Sequence, residues 1–250
     1  MARQAGPITL DSVAAYDRIA PVFANLAEQR KAYLDSVDRI VIDEISPGSR
    51  SLLDVGAGDG TRARRIAQSR SISELTLLEP SVAMQRSGAV DAGSVGISAR
   101  TMRAQDLHLL QAEFEVITCL WNVLGHIPEP ADRVEVLRQF ARLLTPGGKI
   151  FVDVNHRYNT RHYGLLPTAA RILHDRLFQR EKNGDVVVSW DVGGMCCTTT
   201  GHVFTDHEVR RLCRSAGLNI EKTFVVDYAT GQLRRWTFEG HLLYMLRRPN

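Results

Sequence analysis

The stretch Leu52-Leu53-Asp54-Val55-Gly56-Ala57-Gly58-Asp59-Gly60-Thr61 constrains this chain more than any other. A short apolar run enters a loop with glycine at alternate positions, and a helical run follows. Glycine there permits positive φ and lets a ligand approach the backbone. The helix N-terminus behind the loop presents unpaired N–H groups. Such a strand–loop–helix unit belongs to an open α/β sheet, which binds ligands at the carboxyl ends of its strands. The spacing differs from the G-x-G-x-x-G dinucleotide fingerprint, because the third glycine comes one residue early. Asp54 lies two residues before the first glycine. A carboxylate there repels a pyrophosphate and suits a cationic ammonium; its other reading is a loop-capping acid. Glu79 ends a second apolar run, Leu75 to Leu78. An acid about 20 residues past a glycine loop can accept both hydroxyls of a ribose. NAD enzymes do the same, so Glu79 alone does not discriminate.

The remaining pattern extends this unit. Helical periodicity runs over residues 11–44, broken at Pro21. Strands are expected at 51–55, 75–78, 97–102, 114–121 and 149–154, with helices at 61–68, 82–87 and 130–144. Pro146-Gly147-Gly148 reads as a turn. Residues 155–201 break the rhythm, with a helix at 167–179 and strand-like runs at 185–191 and 196–204. A helix at 206–216, N-capped by Thr205, and strands at 220–227 and 240–246 close the chain, joined near Gly231. The expectation is an α/β fold: a doubly wound, seven-stranded, mostly parallel sheet with helices on both faces. One domain over 1–250 divides into an N-terminal helical cap (1–46), a core (47–154), an insertion after strand five (155–204) and closing elements (205–250).

Bulk properties exclude few partners. The net charge of +3 is too mild to demand nucleic acid or an anionic membrane. No apolar run approaches the roughly 18 residues of a transmembrane helix, and the N-terminus lacks a signal peptide's apolar stretch. A cytoplasmic protein with no membrane partner is expected. Cys119, Cys196, Cys197 and Cys213 form no C-x-x-C pair, so no metal site is expected. The adjacent Cys196 and Cys197 read as opposite faces of a strand, with a strained vicinal disulfide as the alternative.

Taken together, these motifs resemble the class I S-adenosylmethionine-dependent methyltransferases of the small-molecule type, over most of the chain. The resemblance implies S-adenosylmethionine as cofactor and an antiparallel last strand. Asp54, Gly56, Ala57, Gly58 and Gly60 match the family's first motif. Glu79 matches its ribose-binding acid, with Pro80 beside it, and Met84 its apolar adenine contact. Gln105, Asp106 and Leu107 resemble the adenine-binding segment after strand three. Leu120, Trp121 and Asn122 resemble the segment after strand four that lines the cofactor. Residues 144–149 (L-T-P-G-G-K) resemble the family's turn before strand five. Tyr16 lies in a stretch similar to the aromatic-bearing helix that covers the cofactor. Arg30 resembles arginines that grip its carboxylate, a task suited to bidentate pairing. Bland readings stay open: Met84 as helix core, Asp106 as a loop acid, Arg30 as solvated.

The same resemblance implies methyl transfer to nitrogen or oxygen of a small-molecule acceptor by in-line displacement. His126 and Tyr158 are the catalytic candidates, and Asn155 and Arg157 the substrate candidates. Residues 153–159 are similar to a segment of glycine and sarcosine N-methyltransferases, with the order of Tyr158 and Asn159 reversed. His126 reads equally as a helix cap, and residues 156–158 as a solvated loop. The prolines of an N/D-P-P-Y tetrad are missing at residues 121–124. Three other readings remain: a tRNA or rRNA methyltransferase, a non-catalytic S-adenosylmethionine-binding protein, and a nicotinamide oxidoreductase. The chain is expected to act as a monomer or homodimer.

Overall fold

The computed structural model describes residues 8–88, 96–178, 180–192 and 195–249. Its main sheet grows from the strand that enters the glycine loop. That strand, β2 (Ser51–Val55), is flanked on one side by β3 (Glu74–Leu78) and β4 (Gly96–Arg100), and on the other by β5 (Phe114–Cys119) and β6 (Leu144–Val154). All five are parallel. Beyond β6 lie β11 (His241–Arg247), β9 (Asn219–Val226) and β10 (Leu233–Arg234). β11 is antiparallel to both β6 and β9. The chain moves outward from β2 to β4, then returns to β5 on the opposite side of β2. That reversal opens a crevice at the carboxyl ends of β2 and β5.

Period-2 alternation sends side chains to two cores. Leu53, Ile117, Val152 and Tyr244 face α6 (Pro130–Leu143) and α9 (Asp206–Ser215). Their neighbours Leu52, Val116, Phe151 and Leu243 face α3 (Lys31–Glu44) and α4 (Thr61–Ser69). The remaining helices are α1 (Ser12–Ile19), α2 (Phe23–Glu28), α5 (Val82–Ser87), α7 (Thr160–Tyr163) and α8 (Leu165–Leu177). No helix of the described residues is long and apolar enough to cross a membrane.

Several expectations are corrected. The main sheet has eight strands rather than seven, because the two-residue β10 adds an edge. The Pro146–Gly148 turn is absorbed into the irregular start of β6, where the register against β5 shifts. The helix expected at 167–179 starts at Leu165, and residue 179 lies outside the described residues, as do residues 1–7 of the expected cap. The two strand-like runs of the insertion form a second sheet. In it β8 (Met195–His202) pairs antiparallel with β7 (Asp185–Val192) and parallel with β1 (Ile8–Thr9). Cys196 is exposed, Cys197 buried, and both are free. The sequence pattern marked β7 and β8 but not β1, whose Thr9 meets Thr198 across 189 residues.

Arg133 is the largest fully buried side chain. Its Nε donates to the Ile127 carbonyl at 2.8 Å and an Nη to that of Pro128 at 3.1 Å. The guanidinium lies 5.4 Å over the Phe204 ring and 3.9 Å from Glu208. It thus fixes the 127–128 loop against α9. Arg133→Met leaves the Ile127 carbonyl unpaired in the interior and removes the pairing with Glu208. It is expected to lower stability by about 3 kcal/mol, seen as a reduced urea midpoint at unchanged slope.

Candidate active site

The crevice holds a cavity of about 510 Å³. Its floor is the glycine loop, where Gly56, Gly58 and Gly60 all have positive φ. A Cβ on Gly56 would lie 2.5 Å from Val123, and one on Gly60 2.8 Å from Leu77. The Glu79 carboxylate braces the loop from beside β3. It accepts from the Gly58 N–H at 2.9 Å and the Ser81 N–H at 2.8 Å. Burial raises its pKa, while those two N–H groups oppose the shift. One N–H per oxygen leaves acceptor capacity on each.

Asp54 lines the cavity at the end of β2 and accepts from the Thr118 hydroxyl at 2.6 Å. Burial pushes its pKa up to about 7; the Thr118 hydroxyl and Arg62 oppose the rise, and Asp38 and Glu79 add to it. Arg62, in the first turn of α4, also lines the cavity. It donates to Asp38 at 3.0 and 2.6 Å. Arg65 pairs with Asp38 and with Asp35. Cations at a helix N-terminus oppose the macrodipole. Acids of α3 compensate here, and that local conflict was the sequence signal for Arg62.

Trp121 and Asn122 both take left-handed backbone conformations, with φ of 60° and 61°. For a bulky residue this conformation costs of order 1–3 kcal/mol. Surrounding bonds hold the turn. The Trp121 N–H donates to Asp153 Oδ2 at 2.9 Å, and the Asn122 N–H to the Asp153 carbonyl at 3.1 Å. The Asn122 side chain donates to the His202 carbonyl and accepts from the Asn155 N–H. Trp121 is thereby presented to the cavity, in ring contact with Phe23 at 5.6 Å.

Also lining the cavity, the Tyr16 hydroxyl lies 3.1 Å from His126 Nε2. Trp190 of β7 touches the Tyr16 ring at 5.9 Å, and Thr200 of β8 completes the wall. Burial lowers the His126 pKa to about 4. Burial likewise raises that of Tyr16. Both are therefore neutral near pH 7 and form a polar pair on the cavity wall.

The sequence candidates divide by position. Tyr16, Asp54, Gly56, Ala57, Gly58, Glu79, Pro80, Gln105, Leu120, Trp121 and His126 line the cavity. Gly60, Met84, Asp106, Leu107 and Asn122 are not among its lining residues. Met84 and Leu107 are fully buried core, and Asn122 is spent on its turn. Four others are engaged elsewhere. The Arg30 guanidinium stacks 4.7 Å over the Tyr228 ring. Arg157 grips Asp175 through two bonds of 2.6 and 2.8 Å, and Tyr158 donates to the same carboxylate at 2.8 Å. Asn155 pairs its backbone with Asn122 and Phe204. Sequence reasoning missed Arg62, Phe23, Arg103 and Thr200 as lining residues.

Comparison with known proteins agrees with this geometry. A family model described as "Methyltransferase domain" matches residues 26–223. A ubiquinone biosynthesis O-methyltransferase of Pseudomonas paraeruginosa is 32% identical over 110 residues, covering 43% of this chain and 45% of that enzyme. The match thus spans about half the length of that relative. One from Aeromonas salmonicida is 26% identical, over 66% of this chain and 70% of that one. Among solved structures, the CcbJ methyltransferase of Streptomyces caelestis superposes with a TM-score of 0.68 at 15% identity, covering 96% of this chain and all of that one. The sugar N-methyltransferase KedS8 of Streptoalloteichus gives 0.60 at 19%, covering all of this chain and 98% of that one.

The chain belongs to the methyltransferase-domain family, and its fold is that of solved methyltransferases. The residues present fit S-adenosylmethionine, the cofactor that the sequence resemblance implies. The glycine loop at Gly56 tolerates no Cβ without displacement, a carboxylate with spare acceptor capacity lies beside the loop, and a second buried carboxylate faces the same space.

An ammonium beside Asp54 requires the ionised carboxylate. S-adenosylmethionine affinity is expected to rise as pH increases through about 7, with a proton released on binding below it. Calorimetry in two buffers of different ionisation heat reads that proton. Asp54→Asn should abolish the release and weaken binding about tenfold or more. Without ligand the sign reverses. The folded-state pKa is raised, so stability from this group is present below 3.8 and lost as pH rises toward 7.

Proposed function

We propose that this chain transfers a methyl group from S-adenosylmethionine to a nitrogen or oxygen of a small-molecule acceptor. The observation that carries the reading is that one cavity holds two sets of residues. Asp54, the glycine loop and Glu79 line it, and so do Tyr16, His126 and Thr200. A protein that only held the cofactor would not need the second set. When bound, the cofactor supplies an electrophilic methyl group on a sulfonium.

In this reading Glu79 accepts the ribose hydroxyls and Asp54 receives the ammonium. Leu120, Trp121 and Gln105 form the wall along the cofactor. Arg62 keeps the region around Asp54 from becoming a cluster of uncompensated acids. Tyr16 and His126 orient the acceptor by hydrogen bonds and exclude water from the reacting end. The acceptor's attacking atom must be held about 3–3.5 Å from the methyl carbon. Neutral His126 can take a proton from the acceptor as charge moves onto it. The O-methyltransferase and sugar N-methyltransferase names of the similar proteins support a small acceptor of either kind. The four free cysteines are compatible with a reducing cytoplasm.

An RNA substrate is less well supported. Of the arginines in the insertion and the closing strands, Arg176, Arg180 and Arg235 are exposed, while four others are engaged within the protein. Arg157 pairs with Asp175, Arg161 and Arg234 with Asp227, and Arg171 stacks on Tyr163.

The test is transfer of labelled methyl from S-adenosylmethionine to a panel of small amines and phenols. Tyr16→Phe and His126→Gln are each expected to lower kcat about ten- to hundredfold, with cofactor affinity within about twofold of the parent. Cofactor binding without transfer to any acceptor, or full activity in the double variant, would sink the reading.

A further inference from the structure

Helix α8 is packed inside out. Of its residues, only Thr168 is fully buried. Thr168, Arg171, Ile172 and Asp175, spaced for one helical face, are turned toward the protein. That face is held by polar contacts: Asp175 by Arg157 and Tyr158, and Arg171 over the Tyr163 ring at 4.1 Å. The leucines face outward, with Leu165, Leu166, Leu173 and Leu177 between 61 and 84% exposed. Phe178 continues the row. Ordinary surface helices bury such a stripe.

A second exposed apolar group adjoins this one. Trp236 and Phe238 stack with rings 6.2 Å apart and nearly parallel, and both are about half exposed. The Thr160 hydroxyl of α7 donates to the Phe238 carbonyl, and α7 runs directly into α8. The flanking charge is positive. Arg176 and Arg180 are exposed on the α8 side, and Arg235 beside Trp236. The acids on these two elements are otherwise engaged. Asp175 is turned inward, and Glu239 accepts from the Trp236 N–H.

We propose that the outward leucine face of α8, with Trp236, Phe238 and the arginines around them, docks this protein on an anionic lipid surface. Leucines and aromatics beside cations are what an interfacial helix presents to the boundary of headgroups and acyl chains. Each arginine near that surface adds electrostatic attraction that salt screens. A two-fold contact with a second copy would set these arginines against one another, which disfavours that occupant. The helix follows the carboxyl end of β6, the edge of the sheet on which the cavity lies. Docking therefore brings the cavity's edge of the molecule to the lipid. The inference stands independently of the acceptor's identity.

The test is flotation of the full chain with phosphatidylcholine vesicles, with and without about one-third phosphatidylglycerol. The chain is expected to float with the anionic vesicles at low salt and to dissociate several-fold at high salt. Leu166→Glu with Leu173→Glu should cut the bound fraction about tenfold, leaving thermal stability and S-adenosylmethionine binding unchanged. Arg176→Glu with Arg180→Glu should erase the preference for anionic vesicles. Absent flotation, or equal flotation of the leucine variant, overturns the proposal. So does a dimer in sedimentation that the leucine variant splits while neither protein binds vesicles, which would assign the face to a second copy.

Discussion

The site depends on one buried carboxylate. Asp153, at the end of β6, accepts from the Tyr33 hydroxyl at 2.5 Å and from the Trp121 N–H at 2.9 Å. These bonds join the helical cap, the closing half of the sheet and the turn after β5. Burial raises the Asp153 pKa, while Tyr33, Arg62 and the Trp121 N–H oppose the shift. An interior carboxylate is tolerable because every partner is in place. It holds two successive left-handed residues that the chain would not otherwise adopt. The orientation of Trp121 into the cavity follows from them.

Around that anchor, charge is organised in opposing layers. Asp54 and Asp153 are both buried, and Arg62, held by Asp38 of α3, balances the two. Asp38 in turn neutralises Arg62. Such arrangements strengthen electrostatic contacts, because a water-poor interior screens them little. The neutral Tyr16–His126 pair fits an acceptor that arrives uncharged and develops charge only during transfer.

Local features are legible in the sequence. The glycine spacing, Asp54 and Glu79 sit within or next to single elements, and the structure brings them to one cavity. Residues assigned by proximity in sequence fared differently. Arg157 and Tyr158 follow β6 closely, yet an acid 17–18 residues further on draws them away. Arg30 has an aromatic partner nearly 200 residues distant. Nothing in a periodicity pattern announces such pairs.

By itself the sequence determined the alternation of strand and helix and the loop after β2, and the resemblance of its motifs to a known family implied the cofactor. The first two rest on hydrophobic period and backbone permissiveness, which act over a few residues. Only the tertiary structure decided the rest. It joined β1 to β8 as a second sheet, set Tyr16 against His126, placed Arg62 among the acids and turned the leucines of α8 outward. Each of these depends on which distant surfaces meet, and packing of the whole chain settles that.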